Sequence, residues 1–134
     1  MRVVHLLRKC NPAEWGGTET AVQRLMEGLR EHDVASVVYC PHVQNGHAKD
    51  PLTEAGWTVR RFRTCVPVWG IAEEQKRQFI AVGGNLMSFD LLPALWREPA
   101  VDVVHSHTLG RLGAMALNAA ISGSILWPLP TPAW

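Results

Sequence analysis

The sequence predicts an α/β fold, a Rossmann-like parallel sheet with helices on both faces. Short apolar runs of the kind found in buried strands alternate along the chain with stretches whose apolar residues recur at helical spacing. Hydrophobic residues make up 47% and charged residues 19% of the 134 residues, which is typical of one packed domain. This alternation favours parallel strands that are joined by right-handed crossovers.

The amino-terminal region has the clearest strand–helix–strand pattern. The run RVVHLL over 2–7 is apolar on both faces, as in a buried strand. A helix is predicted over 18–30, and a second strand is predicted over 35–40, where Pro41 ends it. The apolar residues of this helix recur on one face: Val22, Leu25, Met26 and Leu29.

A polar, irregular connection over 41–51 leads to the third predicted strand, GWTVRRF over 56–62. The basic residues of this strand favour a position at the edge of the sheet. The group Arg60, Arg61 and Arg63 is expected to form a solvated edge. Docking of this group on an anionic membrane, which would make the protein peripheral to the inner face of a membrane, is the alternative interpretation.

The second half of the chain continues the alternation less regularly. A helix is predicted over 72–82, and a shorter one runs through Trp96 from a cap at Ser88 or Asp90. A fourth strand is predicted over 101–105, and a well-buried helix follows over 110–121.

The end of the chain departs from the pattern. The last eight residues hold three prolines and two tryptophans. SILW over 124–127 could begin another strand, but the prolines that follow cannot donate to a ladder from alternate positions. The sequence therefore predicts a domain over 1–121 and an aberrant tail over 122–134.

Charge and cysteine content exclude several classes of protein. The formal net charge of +1 gives no indication of a nucleic-acid surface. The three cysteines are odd in number and scattered, and no signal peptide precedes them, which favours reduced thiols in a cytoplasmic protein. No stretch approaches the roughly 20 apolar residues of a membrane span.

Paired glycines stand where the first predicted strand gives way to a helix. Gly16 and Gly17 would let the backbone approach a phosphate, because ligands of open parallel sheets bind beyond the carboxyl ends of the strands. The helix that begins near Thr18 offers unpaired N–H groups and the positive end of its dipole. A diphosphate site is one interpretation and a tight turn is the other. Neither a G-x-G-x-x-G nor a P-loop pattern is present.

Glu19 follows these glycines in the first turn of the predicted helix. A carboxylate there is favourable for the helix dipole, but it would repel a bound phosphate. If Gly16 and Gly17 hold an anion, Glu19 is therefore expected to point away, toward a cation or a sugar hydroxyl.

The segment DVVHSHT over 102–108 brings two histidines to the end of the fourth predicted strand. His105 and His107 are two residues apart, so their side chains point the same way in extended chain. Each imidazole could bind a sugar hydroxyl or serve a structural role. A metal site would need further ligands, and the spacing of the available Cys40 and His42 matches no standard zinc pattern, so no metal is expected.

The stretch GGN over 83–85 breaks the helix that precedes it. Gly84 and Asn85 are typical of an ordinary turn. The alternative is a mobile loop beside an acceptor site.

Two segments taken together resemble a known family: RVVHLL…WGGTETAVQRLMEGL and DVVHSHTLGRLGAMAL. They are similar to the amino-terminal domain of nucleotide-sugar glycosyltransferases with the GT-B architecture, in the large retaining family that includes sucrose- and mannosyl-transferring enzymes. GGNLMSFDLLPALWREP between them is similar to a subset of that family. The resemblance covers about residues 1–120.

The resemblance implies a mechanism and a role for each candidate residue. In such enzymes an acceptor-side domain faces a donor-side domain across a cleft, and a hexosyl group passes from a nucleoside diphosphate sugar to a hydroxyl with retention. The resemblance implies that Gly16, Gly17 and Thr18 approach the donor diphosphate and that His107 is the catalytic histidine. The residues expected to bind sugar or acceptor are Glu19, His105, Gly84 and Asn85. The nucleotide sugar is a co-substrate, and no cofactor is expected.

Departures from the family pattern qualify this expectation. The usual strand after the helix over 110–121 is replaced by SILWPLPTPAW, and no residues remain for the carboxyl-terminal donor domain. The chain is therefore expected to be a truncated or frame-shifted piece of a transferase, inactive alone and prone to self-association at an open sheet edge. The alternative is a non-catalytic Rossmann-like binding module, or a split-enzyme subunit, that recognises a phosphorylated or carbohydrate ligand.

Overall fold

The computed structural model describes residues 1–12, 15–42, 50–66, 69–81, 86–108 and 110–126. Within these residues, one parallel sheet is formed by four strands: β1 (Arg2–Leu6), β2 (Ala35–Pro41), β3 (Thr58–Phe62) and β4 (Val103–Ser106). Their order across the sheet is β3-β2-β1-β4. The predicted parallel sheet is confirmed, and so is the edge position of β3.

Helices connect these strands: α1 (Gly17–Glu31), α2 (Pro51–Glu54), α3 (Glu73–Ala81), α4 (Leu91–Arg97) and α5 (Arg111–Leu126). In the part of the chain that the structure describes, no helix is long and apolar enough to cross a membrane.

Two hydrophobic clusters cover the two faces of the sheet, as the prediction of helices on both faces requires. On one face, Val4 and Leu6 of β1 pack with buried residues of α4 and α5, among them Leu91 and Leu112. On the other face, the apolar side of α1 and the short helix α2 pack on the alternate strand positions, together with Leu7. Side chains alternate between faces along a strand, so a central strand must be apolar on both sides.

The buried stripe of α1 is narrower than its sequence predicts. Val22 and Met26 are fully buried, one turn apart, and they define the line of contact with the sheet. The prediction that Leu25 is buried is wrong, because its side chain remains 38% exposed beside that line.

Several details differ from the predicted ones. Pro41 was predicted to end β2 from outside it, but it is the last residue of the strand, in register with Phe62 of β3. The short helix α2 was not predicted; it begins at the end of the polar connection, because the Asp50 carboxylate accepts a hydrogen bond from the N–H of Leu52 and caps it. The strand that the sequence allowed from residue 124 is not formed, because α5 continues to Leu126; the rest of the predicted tail, 127–134, lies outside the described residues.

The basic residues of β3 pair with carboxylates. Arg61 donates to Asp50 and to the backbone carbonyls of Cys10 and Pro41, each at 2.9–3.0 Å. Arg63 pairs with Asp90 on the surface. These partners favour the structural interpretation of the basic group over a membrane-docking one.

The buried carboxylate of Glu98, directly after α4, connects this helix to the sheet. Glu98 follows α4 and accepts hydrogen bonds from Arg2, Tyr39 and Arg60. Burial raises the pKa of Glu98, but the hydrogen bonds from Tyr39, Arg60 and Arg2 outweigh it, so the net shift is downward and the carboxylate stays charged. The network joins three strands through one ion.

Apolar side chains lie exposed at the β4 edge and on α5. Val103 of β4 is 42% exposed, and Leu117 and Ile121 of α5 are 61% and 51% exposed. Apolar surface beside a strand edge favours association. Self-association of the chain stays a prediction.

Candidate functional site

The two sequence motifs meet at the carboxyl end of the central strands. β1 and β4 are parallel neighbours with His5 in register with His105, and the N–H of His107 donates to the carbonyl of Leu6 at 2.9 Å. The segment after β1 leads into α1, and the segment after β4 leads into α5. Both therefore belong to the edge where ligands of open parallel sheets bind.

Residues 15–19, which we call the glycine loop, are held by their own hydrogen bonds and by Thr20. The indole N–H of Trp15 donates to the Thr20 hydroxyl at 3.0 Å, and that hydroxyl donates to the Gly16 carbonyl at 3.1 Å. The N–H of Gly16 donates to the Glu19 carboxylate at 3.0 Å. The loop is thus fastened at both ends by nearby side chains.

Glu19 does not take the direction that was expected of it if Gly16 and Gly17 hold an anion. Glu19 does not point away from the start of α1: its carboxylate turns back to the N–H of Gly16, and the residue is only 3% exposed. The physical reason is local, since an acidic side chain in the first helical turn can accept from the backbone N–H that precedes the helix. In a complete capping box, the side chain of the residue before the helix would also accept a hydrogen bond from the N–H of Glu19. Gly16 has no side chain, so only the half that Glu19 provides is formed.

The two glycines differ in what surrounds them. A Cβ on Gly16 would lie 3.0 Å from the Glu19 carboxylate, whereas a Cβ on Gly17 would meet nothing within 4 Å. Gly16 is therefore constrained by the protein itself. Gly17 and Thr18 are exposed in the first turn of α1, where backbone N–H groups point out of the helix end. No contact within the described chain requires glycine at position 17, so any such requirement would come from a bound molecule.

Three imidazoles, which we call the histidine cluster, gather at β1 and at the end of β4: His5, His105 and His107. Nδ1 of His5 lies 3.2 Å from Nε2 of His107, and the rings of His105 and His107 stack with centroids 4.0 Å apart. The predicted common direction of His105 and His107 is confirmed. His5 is fully buried, His107 is half-buried and His105 is exposed.

His5 is the functional candidate that sequence reasoning missed. The signal was a polar residue inside RVVHLL, a strand predicted to be buried on both faces. A buried imidazole needs partners for both nitrogens. His5 finds them in His107 and in the hydroxyl of Ser36, which lies 3.3 Å from its Nε2 on β2.

The imidazoles of His5 and His107 are both neutral at physiological pH. Burial, followed by the charges of His107 and His105, lowers the pKa of His5 to about 4. Burial, followed by His105, lowers the pKa of His107. A neutral imidazole carries one N–H donor and one bare nitrogen, so each ring can donate to one partner and accept from another.

The other candidates are not part of this cluster. Gly84 and Asn85 lie outside the described residues. Cys40, considered as a metal ligand from the sequence, is buried in the hydrophobic cluster under α1. In the described part of the chain, His5, His105 and His107 form a group whose potential ligand atoms all lie within 4.8 Å of one another.

Comparison with known protein families gives one informative match. A family described as a glycosyl transferase 4-like domain matches residues 16–129, which includes the first turn of α1 and the segment of His105 and His107. Neither the comparison with curated proteins nor the comparison with solved structures gave a match.

Proposed function

Because the chain belongs to the glycosyl transferase 4-like family, we propose that it forms the acceptor-side domain of a retaining hexosyltransferase. In this proposal a hexosyl group passes from a nucleoside diphosphate sugar to an acceptor hydroxyl. The observation that supports the proposal is that the segment of His107 and the segment that leads into α1 both lie at the carboxyl edge of the sheet. A hydroxyl-binding group and an anion-binding helix end are the two parts that such a transfer needs side by side.

His107 is the residue we propose to contact the reacting sugar. Its Nε2 faces His5, which leaves Nδ1 for a hydroxyl of the sugar or acceptor. The lowered pKa keeps the ring neutral, so it can accept as well as donate a hydrogen bond near neutral pH. His105, exposed and stacked on His107, is proposed to line the same pocket on its solvent side.

The donor diphosphate is proposed to bind at Gly17 and Thr18. Their exposed position in the first helical turn offers backbone N–H groups and the positive end of the dipole of α1. Gly16 contributes less than the sequence predicted, because its N–H is already bonded to Glu19. Glu19 consequently has a structural role in this proposal.

The negative charge of Glu19 limits how much diphosphate the glycine loop can hold alone. A second lobe with basic residues, from further sequence or from another chain, would supply the remaining charge for the leaving group. We therefore propose that the 134-residue chain binds a nucleoside diphosphate weakly and does not turn over a nucleotide sugar without that lobe.

The test is equilibrium binding of uridine and guanosine diphosphates to the chain and to Gly17→Val, followed by amide chemical shifts or calorimetry. A Cβ at position 17 meets nothing in the protein, so the variant should fold normally while its side chain blocks the approach of a phosphate. We expect binding to weaken about ten-fold or more, which corresponds to roughly 1.4 kcal/mol.

The matched control is Gly28→Val, an exposed glycine of the same helix whose added Cβ also meets nothing within 4 Å. It should leave diphosphate binding unchanged. Equal binding by the wild type and Gly17→Val, or no saturable binding by either, would contradict the proposed diphosphate site and leave the paired glycines as a turn.

A further inference from the structure

We propose that His5, His105 and His107 form a binding site for a divalent transition-metal ion that prefers imidazole ligands, with Zn²⁺ as the expected ion. The three nitrogens come from two strands, β1 and β4, and from the residue just after β4. This inference does not rest on the proposed transferase activity, because binding of a metal can be measured without any substrate.

The distance between the facing nitrogens of His5 and His107 matches that between two ligand atoms on one metal. Zn²⁺ holds imidazole nitrogen at about 2.0–2.1 Å in tetrahedral geometry, which separates two ligand nitrogens by about 3.3 Å. Nδ1 of His5 and Nε2 of His107 are 3.2 Å apart. Potential ligand atoms of all three histidines lie within 4.8 Å, so a modest rotation of the exposed His105 ring completes the set.

The second nitrogen of His5 has the partner that a ligating histidine usually has. Its Nε2 lies 3.3 Å from the hydroxyl oxygen of Ser36. When Nε2–H donates to that oxygen, Nδ1 is bare and directed at His107, which is the tautomer that a metal requires. Ser36 is a buried residue of β2, so this support is part of the sheet itself.

The position of the three rings favours entry of an ion. His5 forms the buried floor and His105 the exposed rim, so an ion can enter from solvent. Three imidazoles leave a fourth position open for water or for an oxygen ligand.

The competing explanation is a hydrogen bond between neutral imidazoles, with Nε2–H of His107 donating to Nδ1 of His5. It accounts for the 3.2 Å distance between His5 and His107 but gives no role to the ring of His105, which stacks on His107. In the metal-bound state His107 would carry its proton on Nδ1 instead, which is the other tautomer of the same neutral ring.

The experiment titrates Co²⁺ into the full chain without an affinity tag, and then displaces it with Zn²⁺. We expect one ion per chain with the strong visible absorption of tetrahedral Co²⁺. His105→Gln, an exposed change that should not disturb folding, and His107→Gln should each lower the affinity about ten-fold or more. Ser36→Ala should lower it by about ten-fold, as losses of a supporting hydrogen bond generally do.

Controls are His32→Gln, at the carboxyl end of α1, and His42→Gln, just after β2; both histidines are exposed and lie outside the cluster. They should bind Co²⁺ as the wild type does. The inference is overturned if the chain takes up no Co²⁺ or Zn²⁺ at micromolar concentrations, or if uptake survives both His105→Gln and His107→Gln.

Discussion

The glycine loop and the histidine cluster lie at the same edge of the sheet, yet they are built in opposite ways. The polar groups of the loop bond to residues no more than five positions away, such as Trp15 to Thr20. The cluster joins residues about a hundred positions apart, such as His5 and His107. A local motif satisfies its hydrogen bonds with its own neighbours, whereas strand register brings together imidazoles from distant parts of the chain, whose mutual hydrogen bond a ligand could replace.

This difference changes the ranking of the two motifs as binding sites. Paired glycines are the more familiar signal of a phosphate site, but Glu19 has already taken the N–H of Gly16. The histidine pair was open between a binding role and a structural role, and the structure adds a third imidazole to it. The three-dimensional arrangement of the polar groups, rather than the residue types in the motif, therefore decides which of the two is the better binding site.

The largest expected effect tests the cluster through pH. Because the folded-state pKa of His5, about 4, is below the ordinary value of 6.5, the neutral ring stabilises the fold at neutral pH. This stability is present above pH 6.5 and is lost as the pH falls toward 4. We expect the free energy of unfolding to drop by roughly 2–3 kcal/mol between pH 8 and pH 4.5.

Urea unfolding at several pH values measures this loss, and His5→Leu should remove most of the slope above pH 4.5. His32→Gln, far from the cluster, should keep the wild-type slope. A wild-type stability that stays constant from pH 8 to pH 4.5 would show that the His5 ring can be protonated without cost, and the contrast between the two motifs would fail.

The next effect concerns the backbone that carries the cluster. A Cβ on Gly113 of α5 would lie 2.4 Å from the Thr108 carbonyl, in the segment that follows His107. Gly113→Ala must push that backbone, so we expect a loss of about 1–3 kcal/mol of stability. Gly28→Ala, in open space on α1, should instead stabilise by about 0.5–1 kcal/mol.

Chemical denaturation measures the free energy of unfolding of Gly113→Ala and Gly28→Ala against the wild type. If Gly113→Ala unfolds at the wild-type denaturant concentration, the segment after His107 is not held by close packing against α5. The cluster would then lose the rigidity that distinguishes it from a loop.

The smallest expected effect concerns the glycine loop. Glu19→Gln keeps an acceptor for the Gly16 N–H but removes the charge, so we expect a loss of about 0.3–1 kcal/mol of stability. Affinity for inorganic phosphate or a nucleoside diphosphate should rise a few-fold, because a like charge has been removed. Glu27→Gln, exposed on the same helix, is the control and should change neither quantity.

Phosphate titration by amide chemical shifts compares the three proteins. Weaker phosphate binding by Glu19→Gln would contradict the view that this carboxylate competes with an anion. It would instead indicate that Glu19 organises the loop for its ligand.

The elements that sequence predicted well are those whose signal is local. The period of Val22 and Met26 identified the buried side of α1, and the basic residues of β3 identified an edge strand. Differences arose where residue spacing does not decide the outcome. Leu25 has the right spacing for burial but lies beside the line of contact, and α5 continues to Leu126, past the predicted end of that helix at residue 121.

Alternation of apolar runs was sufficient to determine an α/β sheet, a first strand that is buried on both faces and the edge at which both motifs lie, because side-chain period is a property of neighbouring residues. The partners of His5 and the direction of Glu19 were decided by folding. The first depends on the register between β1 and β4, which brings His5 level with His105 across a gap of a hundred residues. The second depends on which backbone N–H is left without a partner when α1 begins.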